Sequence, residues 1–79
     1  MQISAVIITF NEEANVASCI ESIENVVDEI IIVDSLSTDK TKEIAESYNK
    51  VKFFSQKWLG YVEQKNYANS LTSYNAYFQ

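Results

Sequence analysis

Polar side chains stand at the ends of two apolar segments of this sequence. Residues 30–33 are aliphatic and end at Asp34, which a run of small hydroxyl residues follows. Residues 3–10 are mostly apolar and end at Asn11 and Glu12. Because open α/β sheets bind their ligands beyond the carboxyl ends of their strands, these two ends predict one shared cleft.

The side chains near these ends allow more than one interpretation. The Asp34 carboxylate could accept hydrogen bonds from ribose hydroxyls or a base N–H, or it could only shape the turn that follows it. Asp39 is more typical of a helix start, and the two carboxylates without a third ligand make a weak Mg²⁺ site. Lys65 could contact a phosphate or a base carbonyl, although a surface lysine is the commoner case. Trp58 is expected to be a packing residue rather than a stacking surface for a ligand.

The composition narrows the classes of function. The chain has 79 residues, of which 47% are apolar, so we expect one small domain with a real core. Its net charge of −5 argues against broad binding to nucleic acid. It has no histidine and one cysteine, which excludes a zinc site of the usual type, a histidine base and an internal disulfide.

Two further patterns are missing from the sequence. Glycine-rich phosphate loops do not occur, which disfavours dinucleotide enzymes and P-loop nucleotide hydrolases. The sequence also shows no signal peptide and no apolar run long enough to span a membrane, so we expect a cytoplasmic location.

The apolar patterns predict the order βαβαβα. Strands are predicted over residues 3–10, 29–34 and 51–55, each followed by a helix, with the third helix over residues 62–71. Asn11 and Thr38 are expected to be the N-caps of the first two helices. Continuous rather than alternating apolar strands predict a parallel, Rossmann-like sheet that is covered on both faces. Residues 72–79 show no clear period, so the prediction stops at about three strands.

Three segments together resemble the N-terminal part of a family 2 glycosyltransferase with the GT-A fold. They are residues 4–13 (SAVIITFNEE), residues 32–41 (IVDSLSTDKT) and residues 60–68 (GYVEQKNYA). Each segment alone is moderately specific, whereas the three in this order are quite specific. The subgroup that the chain resembles most consists of bacterial transferases of lipopolysaccharide core assembly.

The resemblance implies a binding site for a nucleotide-sugar donor, which makes residues 1–79 one truncated nucleotide-sugar-binding domain. Thr9 and Asn11 match the loop that lies against the nucleoside, with Glu12 or Glu13 beside it. Asp34 matches the aspartate that hydrogen-bonds the base or the ribose.

Further expectations follow from the same resemblance. Lys65 matches a basic position near the base and phosphates, and Asp39 matches a position that shapes the loop and the helix start. The intact enzyme is expected to be inverting and to use Mg²⁺ or Mn²⁺. It is expected to move a sugar from a nucleotide-sugar donor, with a UDP-sugar as the first candidate, to a glycan or lipid-linked acceptor. Peripheral attachment to the inner face of the membrane is compatible with such an acceptor.

The sequence also departs from the family pattern. Leu36 stands where many members have glycine, so we expect a different backbone angle there, because leucine at positive φ is costly. The DxD-type metal motif and the catalytic base of the family have no match in this chain, so we assign no catalytic and no metal residues to it. The chain alone is therefore expected to be inactive. The alternative function is a non-catalytic α/β module that forms a homo-oligomer through an open sheet edge.

Overall fold

Strands and helices alternate along the whole described chain. The computed structural model describes residues 2–78, with the backbone alone for residues 77 and 78. The elements are β1 (Ile3–Thr9), α1 (Val16–Ile23), β2 (Glu29–Asp34), α2 (Thr41–Glu46), β3 (Val51–Ser55), α3 (Tyr61–Ser70) and β4 (Asn75–Phe78). The predicted βαβαβα order is confirmed, and a fourth strand follows it.

The strands form one parallel sheet. Within residues 2–78 its order is β3-β2-β1-β4, so the first two strands lie in the middle. Thr9 is the register partner of Asp34, and Asp34 is the partner of Ser55. The carboxyl ends of three strands therefore meet at one edge of the sheet, which includes the two strand ends that the sequence places together.

Both faces of the central strands are covered. Every residue of β2 is buried, which explains its continuous apolar sequence. Ile30 and Ile32 belong to a core formed with α1 and α2, whereas Ile31 and Val33 pack with Ala68 of α3 on the other face. Because successive side chains of a strand point to opposite faces, each residue of β1 and β2 can be assigned to one of these two layers.

The short strand β4 is the element that the sequence pattern does not show. It pairs with β1 only from Ile3 to Val6, at the edge of the sheet. The buried side chains of Glu29 and Ser4 fix the residues that precede β4. The Ser73 N–H donates to Glu29 Oε2, and the Tyr74 N–H donates to Ser4 Oγ at 3.0 Å. These contacts are far apart in sequence and leave no local periodicity. Residue 79, at the end of the predicted irregular tail, lies outside the described residues.

The helix starts also differ from the prediction. Asn11 does not cap α1, because its backbone has a φ of 50° and α1 begins only at Val16. Thr38 does not cap α2, which begins at Thr41. Asp39 instead accepts the Thr41 N–H at 2.9 Å. Both predicted caps are wrong because these polar groups bond across the two loops rather than within their own helix.

Within the described part of the chain, the helices are too short or too polar for any of them to span a bilayer.

Candidate functional site

Two loops at the carboxyl edge of the sheet are bonded to each other. We call residues 10–15, after β1, and residues 35–40, after β2, the loop clasp. The Asn11 N–H donates to Ser37 Oγ at 2.7 Å, and the Thr38 N–H donates to Asn11 Oδ1 at 2.8 Å. The Glu12 N–H reaches Thr41 Oγ1, at the start of α2, at 2.9 Å. Side chains of one loop thus satisfy backbone donors of the other, which fixes the two loops relative to each other at this edge of the sheet.

Asp34 is a buried part of this clasp. Its carboxylate accepts the Thr9 hydroxyl at 2.6 Å, the Ser37 N–H at 2.7 Å and the Ser37 hydroxyl at 2.5 Å. Only 2% of the residue is exposed. Asp34 also belongs to the sheet face of Ile30 and Ile32, which α1 and α2 cover. The structure therefore shows the turn-shaping role of this carboxylate directly.

Two residues of the clasp have left-handed backbone angles. Asn11 has a φ of 50° and Leu36 has a φ of 60°. Asparagine tolerates this region well, whereas leucine adopts it at a cost of about 1–2 kcal/mol. The expectation that Leu36 changes the backbone angle of the loop is wrong. The loop keeps a glycine-like angle because the surrounding hydrogen bonds of the clasp define it.

Asp39 joins the clasp to α2. Its carboxylate accepts the Thr41 N–H and hydroxyl, and it also accepts the Glu13 N–H at 3.2 Å. Desolvation would raise the pKa of Asp39, but these hydrogen bonds outweigh it and lower the pKa below its ordinary value. The structure thus shows Asp39 shaping both the loop and the helix start.

A cleft of about 640 Å³ opens beside the clasp at the carboxyl end of β1. This volume lies within the range of small-molecule sites, about 300–1,000 Å³. The cleft is lined by aliphatic side chains, aromatic rings, a carboxylate and an ammonium group. The lining residues are Val6, Ile8, Thr9, Phe10, Glu12, Ser35, Trp58, Tyr61 and Lys65.

The sequence-predicted residues fall into two groups around this cleft. Thr9, Glu12 and Lys65 line it, and they come from β1, the first loop of the clasp and α3. Asn11 and Asp34 are not among its lining residues, because their side chains bond inside the clasp. Trp58, expected to be a packing residue, packs against the ring of Tyr61, but it does so on the wall of the cleft with 45% of it exposed.

Gln64 is a site residue that the sequence reasoning missed. This side chain of α3 is fully buried, and its Oε1 accepts the Leu59 N–H at 3.2 Å. Its Nε2 donates to the carbonyl of Gln56 and to Ser35 Oγ, each at 3.4 Å. Gln64 therefore ties residues 56–59 to the clasp. A glutamine gives no sequence signal for such a role, because this residue type is mostly exposed.

The described residues contain no complete metal site. None of them forms a group of three or more aspartate, glutamate, cysteine or histidine side chains with the geometry of a metal site. The carboxylates of Asp34 and Asp39 accept hydrogen bonds within the clasp. We therefore derive no reaction step through a metal from this part of the chain.

Comparison with known proteins identifies the family. The family model described as glycosyl transferase family 2 matches residues 4–78, which is nearly the whole chain. The chain belongs to glycosyl transferase family 2. The resemblance carried by the three sequence segments is thus confirmed.

Over the matched region, about half of the residues are identical between this chain and curated members of the family. An uncharacterized glycosyltransferase of Rickettsia felis is 54% identical over 70 residues, covering 89% of this chain and 24% of the relative. A lipopolysaccharide core biosynthesis glycosyltransferase of Rhizobium meliloti is 44% identical over 72 residues, covering 86% of this chain and 26% of the relative. The chain spans about a quarter of the length of these family members.

A solved structure supports the same fold. Mannosyl-3-phosphoglycerate synthase from Rubrobacter xylanophilus superposes with a TM-score of 0.77 at 24% identity, over 91% of this chain and 27% of that protein. The likeness shows that the chain has the architecture of the GT-A fold, as predicted for a family 2 member.

Proposed function

We propose that this chain forms the nucleotide-sugar-binding part of an inverting glycosyltransferase. The observation that carries the proposal is the cleft at the carboxyl end of β1, where Thr9, Glu12 and Lys65 converge. This is the edge at which open α/β sheets bind ligands. Membership of glycosyl transferase family 2 supports a sugar nucleotide as that ligand.

Each of these side chains has a chemical task in the proposal. The Lys65 ammonium, on the exposed side of α3, neutralises phosphate charge or donates to a base carbonyl. The Glu12 carboxylate accepts hydrogen bonds from ribose hydroxyls or base N–H groups. Thr9 forms part of the cleft wall at the end of β1. Asn11 and Asp34 do not contact the donor in this proposal; their hydrogen bonds keep the loop clasp in its conformation.

The intact protein would transfer the sugar from a nucleotide-sugar donor, with a UDP-sugar as the first candidate, to a hydroxyl of a lipopolysaccharide or polysaccharide acceptor. The Rhizobium relative, named for lipopolysaccharide core biosynthesis, supports this acceptor class. Such an acceptor favours a cytoplasmic location at the inner face of the membrane. Mg²⁺ or Mn²⁺ would neutralise the leaving diphosphate, and we expect residues other than those described to bind it. We expect the 79 residues alone to bind donor without transferring sugar.

An NMR titration of the isotope-labelled chain tests donor binding directly. UDP, GDP, ADP and dTDP are added separately, each with and without Mg²⁺. We expect one nucleotide to shift the backbone signals of Thr9, Glu12, Ser35 and Lys65 together, with a small effect of Mg²⁺. The absence of shifts with all four nucleotides at millimolar concentration would overturn the proposal.

A matched pair of lysine variants tests the assignment of Lys65. Lys65→Met should weaken nucleotide binding about tenfold or more, because a hydrogen bond to a charged group contributes about 1.5–3 kcal/mol. Lys42→Met removes an exposed ammonium on α2 that does not line the cleft, and should leave the affinity unchanged. Equal affinity of the two variants would remove Lys65 from the proposed site.

One observation favours the alternative of self-association. Within residues 2–78, β3 and β4 each have a strand neighbour on one side only. Unpaired strand edges favour pairing with a second copy. Sedimentation velocity over a range of concentrations separates the two functions: a concentration-dependent dimer that is indifferent to nucleotide supports the alternative, and a monomer that binds nucleotide excludes it.

A further inference from the structure

Trp58 and Tyr61 form an aromatic pair on the wall of the cleft. Their ring centroids lie 5.2 Å apart and their planes are at 87°, which is an edge-to-face contact. Trp58 is 45% exposed and Tyr61 is 73% exposed. Neither residue belongs to the two hydrophobic clusters of the sheet. Core packing therefore does not account for the pair, and an edge-to-face contact leaves ring faces uncovered by the partner ring.

The segment that carries Trp58 is held in place before any ligand arrives. Gln64 is fully buried, and it hydrogen-bonds the N–H of Leu59 and the carbonyl of Gln56, which come after and before Trp58 in the sequence. The same amide reaches Ser35 in the loop clasp. A surface that is ordered in advance loses little conformational entropy when a ligand binds.

A cation lies next to this aromatic wall. Tyr61 and Lys65 are four residues apart in α3, so their side chains are neighbours on the helix surface, and both line the cleft. A nucleobase matches this arrangement, because its aromatic face can lie on the indole while carbonyl oxygens or ring nitrogens at its edge accept from the ammonium.

We propose that Trp58 is the stacking surface for the nucleobase of the donor, with Tyr61 supporting its ring and Gln64 positioning its segment. This inference rests on the proposed function of the cleft. Base–aromatic stacking contributes about 1–3 kcal/mol, which corresponds to a change in affinity of about 5- to 150-fold.

Fluorescence of the chain tests the stacking because Trp58 is its single tryptophan. The 79-residue chain is titrated with UDP, GDP, ADP and dTDP, and with three probes that lack a base: pyrophosphate, ribose 5-phosphate and glucose. Free tryptophan serves to correct for absorption. We expect saturable quenching by at least one nucleotide, with the same Kd as the NMR shifts at Thr9 and Glu12. Quenching by a probe without a base would overturn the assignment to the nucleobase.

Three variants, measured by NMR titration, complete the test. Trp58→Ala should weaken nucleotide binding about 5- to 150-fold, and Trp58→Phe should keep most of the affinity. Leu59→Ala is the matched control, since Leu59 is an exposed neighbour in the same segment and does not line the cleft. The Trp58 side chain is half exposed, so all three variants are expected to fold, which the spectra themselves verify.

The outcomes separate the inference from the proposed function. Nucleotide shifts at Thr9 and Glu12 without quenching, and with unchanged affinity in Trp58→Ala, would overturn the stacking role and leave the donor site standing. If none of the nucleotides binds, both fall.

Discussion

The hydroxyl of Thr9 donates a hydrogen bond of 2.6 Å to Oδ1 of Asp34, joining the last residues of the two central strands. Both residues are buried, with 3% and 2% exposed. Ser35, which follows Asp34, lines the cleft and donates its N–H to the Thr9 carbonyl at 2.8 Å. Any effect of Asp34 on donor binding therefore includes its effect on the position of this loop.

We predict that Asp34→Ala destabilises the protein. The buried Thr9 hydroxyl and the partly buried Ser37 N–H would lose their acceptor, and an unsatisfied buried group costs about 1–3 kcal/mol. Urea denaturation followed by circular dichroism measures the change. Glu46→Ala, which removes an exposed carboxylate of α2, should change the free energy of unfolding by less than about 0.5 kcal/mol. Equal stability of the two variants would mean that the clasp does not depend on Asp34.

We predict that the backbone angle of Leu36 makes this site open to stabilisation. Leu36→Asn should raise the free energy of unfolding by up to about 1 kcal/mol, because asparagine tolerates a φ of 60° and the leucine side chain is 55% exposed. Leu36→Val should lower it by about 1 kcal/mol, because a β-branched residue fits this region worse. The opposite order of the two variants in urea denaturation would show that the clasp does not impose this angle.

The sequence predicts the sheet better than it predicts the loops. The strand over residues 29–34 follows from a continuous apolar run, because burial on both faces is a local property of each side chain. The helix-start role of Asp39 follows from its local position, but its bond to the Glu13 N–H, 26 residues away, does not. The role of Asn11 does not follow either, because its amide oxygen accepts the Thr38 N–H, 27 residues away, which no local propensity records. Polarity alone would place Trp58 in the interior and Gln64 on the surface. The structure shows the reverse, since Trp58 lines the cleft and Gln64 is buried.

We predict that acid weakens the anchor of β4. Burial would raise the pKa of the Glu29 carboxyl, but hydrogen bonds from Lys52, Ser4 and the Ser73 N–H outweigh it and lower the pKa to about 2. The ordinary value is 4.5, so the folded state favours the ionised form. This contribution is fully present above pH 4.5 and is lost as the pH falls towards 2, and its size is at most about 3 kcal/mol.

The measurement compares urea denaturation of the wild type and Glu29→Gln from pH 7 down to pH 2. The wild type should lose more stability over this range than the variant, since glutamine does not titrate. Asp39 also titrates with a lowered pKa, and it does so in both proteins, so the difference between the two curves isolates Glu29. Parallel curves would contradict a stabilising role for the ionised Glu29.

We predict that Gln64 controls the order of the segment that carries Trp58. Gln64→Leu keeps a side chain of similar size but leaves the Leu59 N–H and the Gln56 carbonyl without their partner. Trp58 should then become more accessible to acrylamide quenching, and nucleotide affinity should fall together with this change. Asn66→Leu, which removes an exposed amide from the same helix, should alter neither property. If Gln64→Leu lowers global stability while the accessibility of Trp58 in the folded protein stays unchanged, Gln64 acts through the packing of α3 and not through this segment.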